Sequence, residues 1–479
     1  MKKFYTLAFV VATAFGVQAA AFVSPGDGST WTMAKIAAID TSGVTAAAGN
    51  AYTVAENVTI SAGDIFQLEG GITVTLGKGV EIDIEGTALL APEVRTTITG
   101  ADAASAGKYI WVKGASETAP VQVKNLDFAY CALKLTPAMG AVVDGCTFRY
   151  HQASVSYGTS ALQLGGIGGS TEEAYTVTNC TFEYNRRSAI GTASNVSVPL
   201  LIENNIFNYN DDQNLNYPHI NVTASSSCVI RGNKVLGNRE KTLGGGIIVA
   251  DLLGVTSNAQ SLIEDNEVRD CRYGIAVYSI QNAIVRNNTL VNNNTETNPN
   301  NGGSGINFYE PKGNGLTAKV YGNHIEGSLW GVTVIGCKNV NLGRTDVPEG
   351  DPEYCPGDNK FINNGNGTDA DGNLVRYDVY NNSPNTVYAM NNYWYIANGE
   401  TPAATVFDIA DDDTLGEVVY TPWLGSTFSG ISAVGTDNIL TGVKYYNLQG
   451  VESATPFDGV NIVVNEYSNG AKTATKVIR

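Results

Sequence analysis

The chain has 479 residues, with 46 Asp and Glu against 29 Lys and Arg and a formal net charge of −17. This acidic balance argues against nucleic acid as a partner, because phosphate binding needs a concentrated basic surface. A hydrophobic fraction of 43% with only 16% charged residues indicates an ordered protein, and 53 Gly residues indicate many turns.

The first 21 residues have the pattern of a secretory signal peptide. Lys2 and Lys3 precede an apolar run at residues 7–17, and small residues follow at 19–21. The run is too short for a stable membrane span, and no later run reaches about 18 apolar residues. We therefore expect an exported protein that does not span a membrane and that is secreted, periplasmic or held at the cell surface.

Residues 25–39 predict a short helix capped by Ser29 or Thr30. Its apolar residues fall roughly on one face, at Trp31, Met33, Ile36 and Ile39. From residue 58 to residue 90 the hydrophobic pattern alternates, with Gly turns between short runs, which predicts strands. A helix ahead of a strand array is expected to cover the open end of that array.

A motif then recurs, with residues 262–279, LIEDNEVRDCRYGIAVYS, as its clearest copy. One position of the motif can be followed through ten copies, at Leu126, Cys146, Cys180, Asn205, Asn233, Asn266, Asn288, Asn323, Asn359 and Asn391. The gaps between copies vary, which indicates a constant inner turn with variable outer loops. No single copy could bury its own apolar side, so the copies must stack.

In such a stack, an Asn at the bend can hydrogen-bond to the Asn of the coils above and below, about 4.8 Å away. The buried amides then satisfy one another, and Cys fits the same position as a small apolar residue. The pattern over residues 58–395 resembles the right-handed parallel β-helix, or pectate-lyase-like, superfamily. The predicted fold is all-β: a single-stranded right-handed parallel β-helix (solenoid) with a short N-terminal capping helix and a small C-terminal β module.

A second strand, typically Gly-Ile-x-Val, follows each bend. Alternation places its third residue on the outside, in a column of Lys134, Gln163, Gly191, Asn221, Ile248, Ala276, Asn307 and Thr333. The next outward column makes Tyr278 and Tyr309 neighbours. In proteins of the superfamily that the chain resembles, this sheet often forms the floor of a polysaccharide groove.

The resemblance also implies what an enzyme of this fold would need. Calcium-dependent pectate lyases need clustered acidic residues with an Arg or Lys base, and the column above holds no carboxylate. Polygalacturonase-like hydrolases carry NTD and GHG motifs, and neither occurs in this sequence. The remaining weak catalytic candidates lie at strand ends and in loops, at Arg272, Lys241, Asp251 and Glu310.

Aromatic and amide side chains on the same face are candidates for binding sugar rings and hydroxyls, namely Tyr273, Tyr278, Tyr309, Trp330, Asn221 and Asn307. The alternative is that these residues merely decorate a stable solenoid. Two functions stay open: a protein that binds or processes complex polysaccharide, as a lyase or hydrolase, or a non-enzymatic adhesin or structural surface protein. A polysaccharide or glycan is the expected partner in the first case.

No cofactor is expected, with calcium as a possibility. Asp369, Asp371 and Asn373 form a calcium-like turn that lacks the downstream Glu of an EF-hand, so a flexible acidic turn is the alternative. The three His residues are too far apart in sequence for a metal site. Seven Cys residues leave at least one unpaired, and most are expected to be buried thiols.

The C-terminal residues change character. Residues 426–479 predict a linker and a small β-sandwich, after a signal peptide at 1–21 and a β-helix at 22–425. The segments YYNLQG, GVNIVV and KVIR resemble the C-terminal sorting module of type nine secretion cargo, over about 40 residues. That resemblance implies the export machinery as a partner, and the alternative is a β tail without a sorting role.

Overall fold

A computed structural model describes residues 22–113, 119–152, 160–165, 175–193, 198–223, 227–251, 253, 260–298, 300–311, 315–368, 374–396, 400–425, 440–447, 449–453, 455–457, 459–467 and 472–478. The predicted signal peptide at 1–21 and the calcium-like turn with Asp369, Asp371 and Asn373 lie outside the described residues. The chain divides into two compact units, Met1–Ser426 and Thr427–Arg479.

Three long sheets form the first unit. Sheet 1 contains Phe22–Val23, Val58–Ile60, Glu81–Ile84, Tyr109–Val112, Ala132–Leu135, Leu162–Leu164, Ile190–Thr192, Pro218–Val222, Gly245–Ala250, Ile275–Tyr278, Ser304–Tyr309, Trp330–Ile335, Val379–Asn382 and Val406–Phe407. Sheet 2 contains Val44–Ala47, Ala51–Val54, Thr73–Leu76, Thr96–Gly100, Leu126–Ala129, Thr147–Arg149, Thr181–Glu183, Ile206–Asn208, Lys234–Leu236, Glu267–Arg269, Thr289–Val291, His324–Glu326, Lys360–Ile362 and Tyr393–Trp394.

Sheet 3 contains Val121–Lys124, Ala141–Asp144, Tyr175–Thr178, Leu200–Glu203, Cys228–Arg231, Gln260–Glu264, Asn282–Arg286, Thr317–Tyr321, Asn339–Gly343, Val387–Ala389 and Val418–Val419. Short strands at Thr30–Trp31, Ile65–Gln67 and Thr87–Leu89 form a three-stranded sheet beside the first coils. A two-stranded ribbon, Gly367–Thr368 with Leu374–Val375, and a 3₁₀ helix, Pro402–Thr405, complete the unit.

The strands of each long sheet pair in parallel with the strands of the preceding and following coils. In sheet 1, for example, Ile247 pairs with Ile275, Ile275 with Ile306, and Ile306 with Val332. The exception is the hairpin of Val44–Ala47 with Ala51–Val54, which is antiparallel. A chain that adds one strand to each of three sheets per turn is a parallel β-helix, which is the predicted fold.

The N-terminal helix is shorter than the sequence predicted and starts later. It spans Met33–Ala37, and its N-cap is Thr32, whose hydroxyl accepts from the backbone N–H of Lys35. The expectation of a cap at Ser29 or Thr30 is wrong, because Thr30–Trp31 is drawn into a strand that pairs with Ile65 and Phe66. Met33 and Ile36 are fully buried, so the helix covers the first coils as predicted.

The buried amide ladder is present and runs through Asn205, Asn233, Asn266, Asn288, Asn323, Asn359 and Asn392. The last predicted member, Asn391, is wrong by one residue. Asn391 has φ of 56° and occupies the left-handed turn position that comes before each ladder residue, and Asn392 carries the ladder amide.

Aromatic rings also stack along the axis inside the coils. Phe128, Phe148, Phe182 and Phe207 form a column with ring centroids 4.9–5.0 Å apart and nearly parallel planes. Each of these Phe residues comes two residues after the bend of its coil, so four consecutive coils place a ring on the same side of the core. This stacking fixes the register of the sheets from within.

The second unit is a four-stranded antiparallel sheet of Leu440–Tyr446, Glu452–Ser453, Val460–Tyr467 and Lys472–Ile478. All seven Cys residues of the chain are free and buried, in agreement with the expectation of buried thiols. Within the part of the chain that the structure describes, no helix is long and apolar enough to cross a membrane.

Candidate functional site

The outer face of sheet 1 carries the predicted column of side chains. Gln163 pairs with Gly191, Gly191 with Asn221, and Asn221 with Ile248. The column continues through Ala276, Asn307, Thr333 and Tyr380. These residues are therefore in register on adjacent parallel strands, as alternation along each strand predicts.

A groove of about 400 Å³ lies over the C-terminal half of this column. It is lined by Arg272, Tyr273, Tyr278, Asn300, Asn301, Gly302, Ser304, Asn307, Trp330, Thr333, Ile335, Tyr380 and Asn382. The floor comes from four consecutive strands of sheet 1, and one wall comes from the loop at residues 300–302. Among the described residues, the lining holds no Asp or Glu, so the groove is polar and uncharged apart from one Arg.

Aromatic rings form one end of the groove. Trp330 stacks on Tyr377 with ring centroids 5.3 Å apart, and it meets the ring of Tyr380 edge to face at 4.6 Å. Tyr380 in turn stacks on Phe407 at 4.6 Å. This packing holds the rings of Trp330 and Tyr380 in fixed positions at the groove.

Tyr278 and Tyr309 are neighbours in adjacent coils, as predicted. Their ring centroids are 5.2 Å apart, and the planes meet at 71°, so they touch edge to face. Tyr278 lines the groove, and burial raises the pKa of its phenol. Tyr309 supports Tyr278 from the next coil and is outside the lining.

Arg272 is the single cationic side chain among the described lining residues. Its Nε donates to the backbone oxygen of Asn301 at 2.7 Å, Nη2 donates to the same oxygen, and Nη1 donates to Oδ1 of Asn216. Both acceptors are neutral. Arg272 therefore ties the loop at 300–302 to an earlier coil while its positive charge stays uncompensated by these bonds.

Tyr273 stands beside Arg272 at the groove wall. Its ring lies against the backbone of Gly245 so closely that a Cβ at that position would be 2.3 Å from the ring carbon Cζ. Burial raises the pKa of the Tyr273 phenol, which keeps it protonated at neutral pH. The Gly at 245 is thus what allows this ring to lie flat on sheet 1.

The two carboxylates proposed as catalytic candidates do not face the groove. Asp251 and Glu310 are 2% and 5% exposed. Asp251, Ser279 and Glu310 are in register on three consecutive coils. The backbone N–H of Asp251 donates to the oxygen of Tyr278, and the backbone N–H of Ser279 donates to the oxygen of Tyr309. Two coil steps put their backbones about 10 Å apart, and both side chains are turned into the wall.

Two further predicted residues fall outside the groove lining. Lys241 lies in a turn, where its backbone N–H binds the oxygen of Asn238. Asn221 is in the outward column, but three coils separate it from Asn307. The structure therefore brings together Arg272, Tyr273, Tyr278, Asn307 and Trp330 and leaves the other candidates apart.

The expectation that the outer column holds no carboxylate applies only to its later coils. Sheet 1 begins earlier than predicted, and Asp83 and Trp111 precede Lys134 in the same column. Lys113 Nζ lies 2.7 Å from Asp83 Oδ2 and 4.1 Å from the centre of the Trp111 ring. The early coils lack an Asn at the bend, so the motif gave no means of aligning them with the later ones.

Lys134 is the most unusual member of this early cluster. Its Nζ is 3.5 Å from the centre of a Trp111 ring and 5.6 Å from that of Tyr109. Burial lowers the pKa of Lys134 and raises that of Asp83. The cluster lies six coil steps, or about 29 Å, from Asn307, so it is separate from the groove.

In the described ranges, no three His, Cys, Asp or Glu side chains are grouped so that they could hold a metal ion. His219 is buried, and burial lowers its pKa to about 3, so it stays neutral inside the wall. The groove offers stacking surfaces, amides and hydroxyls.

A protein-family comparison agrees with this architecture. The family described as "Right handed beta helix region" matches residues 108–336, and no curated protein matches the chain. The crystal structure of the periplasmic alginate epimerase AlgG is 12% identical, with a TM-score of 0.44 over 83% of this chain and 81% of that chain. A mutant of the same epimerase is 13% identical, with a TM-score of 0.42 over the same shares. Together with the strand register, the family match confirms the predicted right-handed parallel β-helix.

Proposed function

We propose that this protein is exported and binds a complex polysaccharide along the outer face of sheet 1, in the groove between Arg272 and Tyr380. The observation that carries the proposal is the composition of the groove: aromatic rings at fixed positions beside a row of amides and hydroxyls. Sugar rings offer apolar faces that stack on such rings, and their hydroxyls pair with such amides. An open groove on a regular sheet suits a chain of repeated units.

The test is binding to a panel of neutral and acidic polysaccharides, measured by affinity electrophoresis and calorimetry. Trp330→Ala and Tyr278→Ala should each weaken binding about tenfold, which corresponds to about 1.4 kcal/mol for one lost stacking contact. Tyr150→Ala is the control, because Tyr150 is an exposed Tyr of an earlier coil and lies outside the groove. Equal binding by all three variants, or no binding to any polymer, would refute the proposal.

A second candidate function is chemistry on the bound chain. Arg272 and Tyr278 both line the groove, and the Arg272 charge acts to lower the pKa of the Tyr278 phenol against the effect of burial. Such a pair could take a proton from a sugar carbon and deliver it to the oxygen of the bond that breaks, as elimination requires. Assays for unsaturated products and for new reducing ends decide between catalysis and a non-enzymatic role as an adhesin or structural surface protein. Turnover that is lost in Arg272→Gln while binding persists would establish catalysis.

Export is the third part of the proposal, with residues 1–21 as the signal peptide and the C-terminal unit as a sorting module. The antiparallel sheet of this unit and its sequence resemblance to sorting modules support it. Cell fractionation of the full chain and of a chain that ends at residue 425 tests it. Surface display of both chains would show that the C-terminal unit has no sorting role.

A further inference from the structure

The amide ladder changes its chemistry at its N-terminal end. From Asn205 to Asn392 each rung is an Asn. In the coil before Asn205, the backbone N–H of Cys180 still donates to Oδ1 of Asn205 at 2.9 Å. One coil earlier still, the backbone N–H of Cys146 donates to the sulfur of Cys180 at 3.4 Å. The Cys180 sulfur therefore takes the place that an Asn oxygen has in the rest of the ladder.

The two Cys residues are held in register by the strands that follow them. Thr147 pairs with Thr181, Phe148 pairs with Phe182, and the N–H of Thr181 donates to the oxygen of Cys146 at 2.9 Å. Positions in register on adjacent coils are about 4.8 Å apart. That separation lies within the range of about 4.4–6.8 Å between Cα atoms that a disulfide spans.

The thiols interact with each other as well as with the backbone. The Cys180 thiol donates to the backbone oxygen of Thr178 at 3.1 Å, and the interaction between the two thiols raises the pKa of Cys180 and lowers the pKa of Cys146. Both side chains are 1% exposed, so an oxidant reaches them only when the coils open locally. Of the two, Cys146 has the greater thiolate character and is the first to react.

We propose that Cys146 and Cys180 are an oxidation site of this protein and form a reversible disulfide that joins two adjacent coils. With a peroxide as the oxidant, the Cys146 thiolate attacks one peroxide oxygen and becomes a sulfenic acid as the second oxygen leaves as water. The Cys180 sulfur then attacks the Cys146 sulfur, the S–S bond forms, and the sulfenic oxygen leaves as a second water. The two thiols supply the two electrons that reduce the peroxide.

The other Cys positions explain why this pair is selected. Cys228, for example, has Leu200 below it and Ser261 above it in sheet 3, so neither neighbouring coil offers a sulfur. The coil that follows Cys271 has an Asn at the matching position, because the backbone N–H of Cys271 donates to Oδ1 of Asn293. At the position of Cys146 and Cys180, by contrast, two consecutive coils carry Cys.

The experiment uses the full chain, purified with its thiols reduced and then treated with hydrogen peroxide under native conditions. After unfolding, the free thiols are alkylated and the peptides are mapped by mass spectrometry. We expect two of the seven thiols to be lost, a cross-linked peptide pair that contains Cys146 and Cys180, and full recovery with dithiothreitol. The oxidised protein should also unfold at a higher temperature than the reduced protein, because the bond restricts the unfolded chain.

Two variants make the test specific. Cys228→Ser should still lose two thiols, whereas Cys146→Ala should keep all of its remaining thiols and show no shift in unfolding temperature on oxidation. The position tolerates an apolar side chain, since Leu126 fills it one coil earlier. Alkylation of both Cys146 and Cys180 after peroxide treatment, or pairing of either with another Cys, would overturn the proposal.

Discussion

Oδ1 of Asn266 accepts two hydrogen bonds from Asn233, one from the backbone N–H at 3.0 Å and one from Nδ2 at 2.9 Å. Asn266 then repeats the arrangement with the coil above, where its own N–H and Nδ2 both donate to Oδ1 of Asn288 at 3.0 Å. Every buried polar atom of the rung has a partner, so the ladder replaces the water that these groups lose on folding. It also links each coil to the next at one fixed position.

Replacing Asn266 by Leu is expected to be strongly destabilising. The change removes the side-chain partner of the Asn233 N–H and of the Ile230 oxygen, and Nδ2 of Asn233 loses one of its three bonds. Each buried unpaired group costs about 1–3 kcal/mol, so the free energy of unfolding should fall by at least about 3 kcal/mol. Denaturant unfolding measures this loss. Asn282→Leu, at an exposed position of sheet 3, is the control and should lose under about 1 kcal/mol.

The carboxylate of Asp64 fixes the segment that leads into the N-terminal helix. It accepts from the backbone N–H groups of Gly26, Gly28 and Ser29 and from Nε1 of Trp31, at 2.8–3.2 Å. Asp64→Asn replaces one acceptor oxygen by a donor and removes the charge that strengthens these bonds. We expect faster limited proteolysis near residues 24–31 and a loss of about 2 kcal/mol in the free energy of unfolding.

The matched control for this change is Asp27→Asn. Within the described ranges, Asp27 accepts only from the nearby N–H of Ser29, at 3.1 Å and in an exposed position. Its replacement should leave both proteolysis and unfolding close to those of the unchanged protein. If Asp64→Asn and Asp27→Asn behave alike, Asp64 does not organise this segment.

Asp378 should make stability depend on pH. It is buried behind the groove, where Nδ2 of Asn364 donates to its Oδ1 at 2.8 Å, and burial raises its pKa to about 6. In the unfolded chain the pKa is about 3.9, so between about pH 4 and pH 6 the folded protein binds the extra proton. The contribution of Asp378 to stability is therefore greatest below about pH 4 and is lost as the pH rises through about 6.

The size of this effect follows from the shift of about two pKa units, which corresponds to about 3 kcal/mol. Asp378→Asn should remove it, so that the variant gains stability relative to the unchanged protein as the pH increases from 4 to 7. Urea unfolding at several pH values measures the difference. A difference that does not change with pH would mean that Asp378 titrates normally in the folded protein.

The sequence predicted the position of a side chain correctly where the residue belongs to the repeat. Counting from Asn266 gave the inward and outward sides of sheet 1, because a period of two and a fixed coil step leave no freedom there. Asp251 and Glu310 keep this register, but they come directly after the strands, where the sequence gives no sign that the side chains turn inward. Both side chains are turned into the wall.

The parts of the groove that the sequence missed lie outside the motif. Asn300, Asn301 and Gly302 come from a loop between coils, and its position depends on the bond from Arg272 to the oxygen of Asn301. Tyr380 belongs to a coil whose predicted ladder residue was wrong by one position. Loops of variable length carry no periodic signal, so their contacts could not be inferred from spacing.

Gly245→Ala tests whether the groove wall depends on the close packing of Tyr273. An added methyl group would lie 2.3 Å from Cζ and 2.5 Å from the hydroxyl oxygen of that ring, so the ring has to move toward the groove. Because Tyr273 is at the wall, we expect polysaccharide binding to weaken at least tenfold, or about 1.4 kcal/mol, with only a modest fall in unfolding temperature. Gly350→Ala is the control, since a methyl group there meets no atom within 4 Å. Unchanged binding by Gly245→Ala, measured on the polymer that the unchanged protein retains, would show that the position of Tyr273 does not shape the groove.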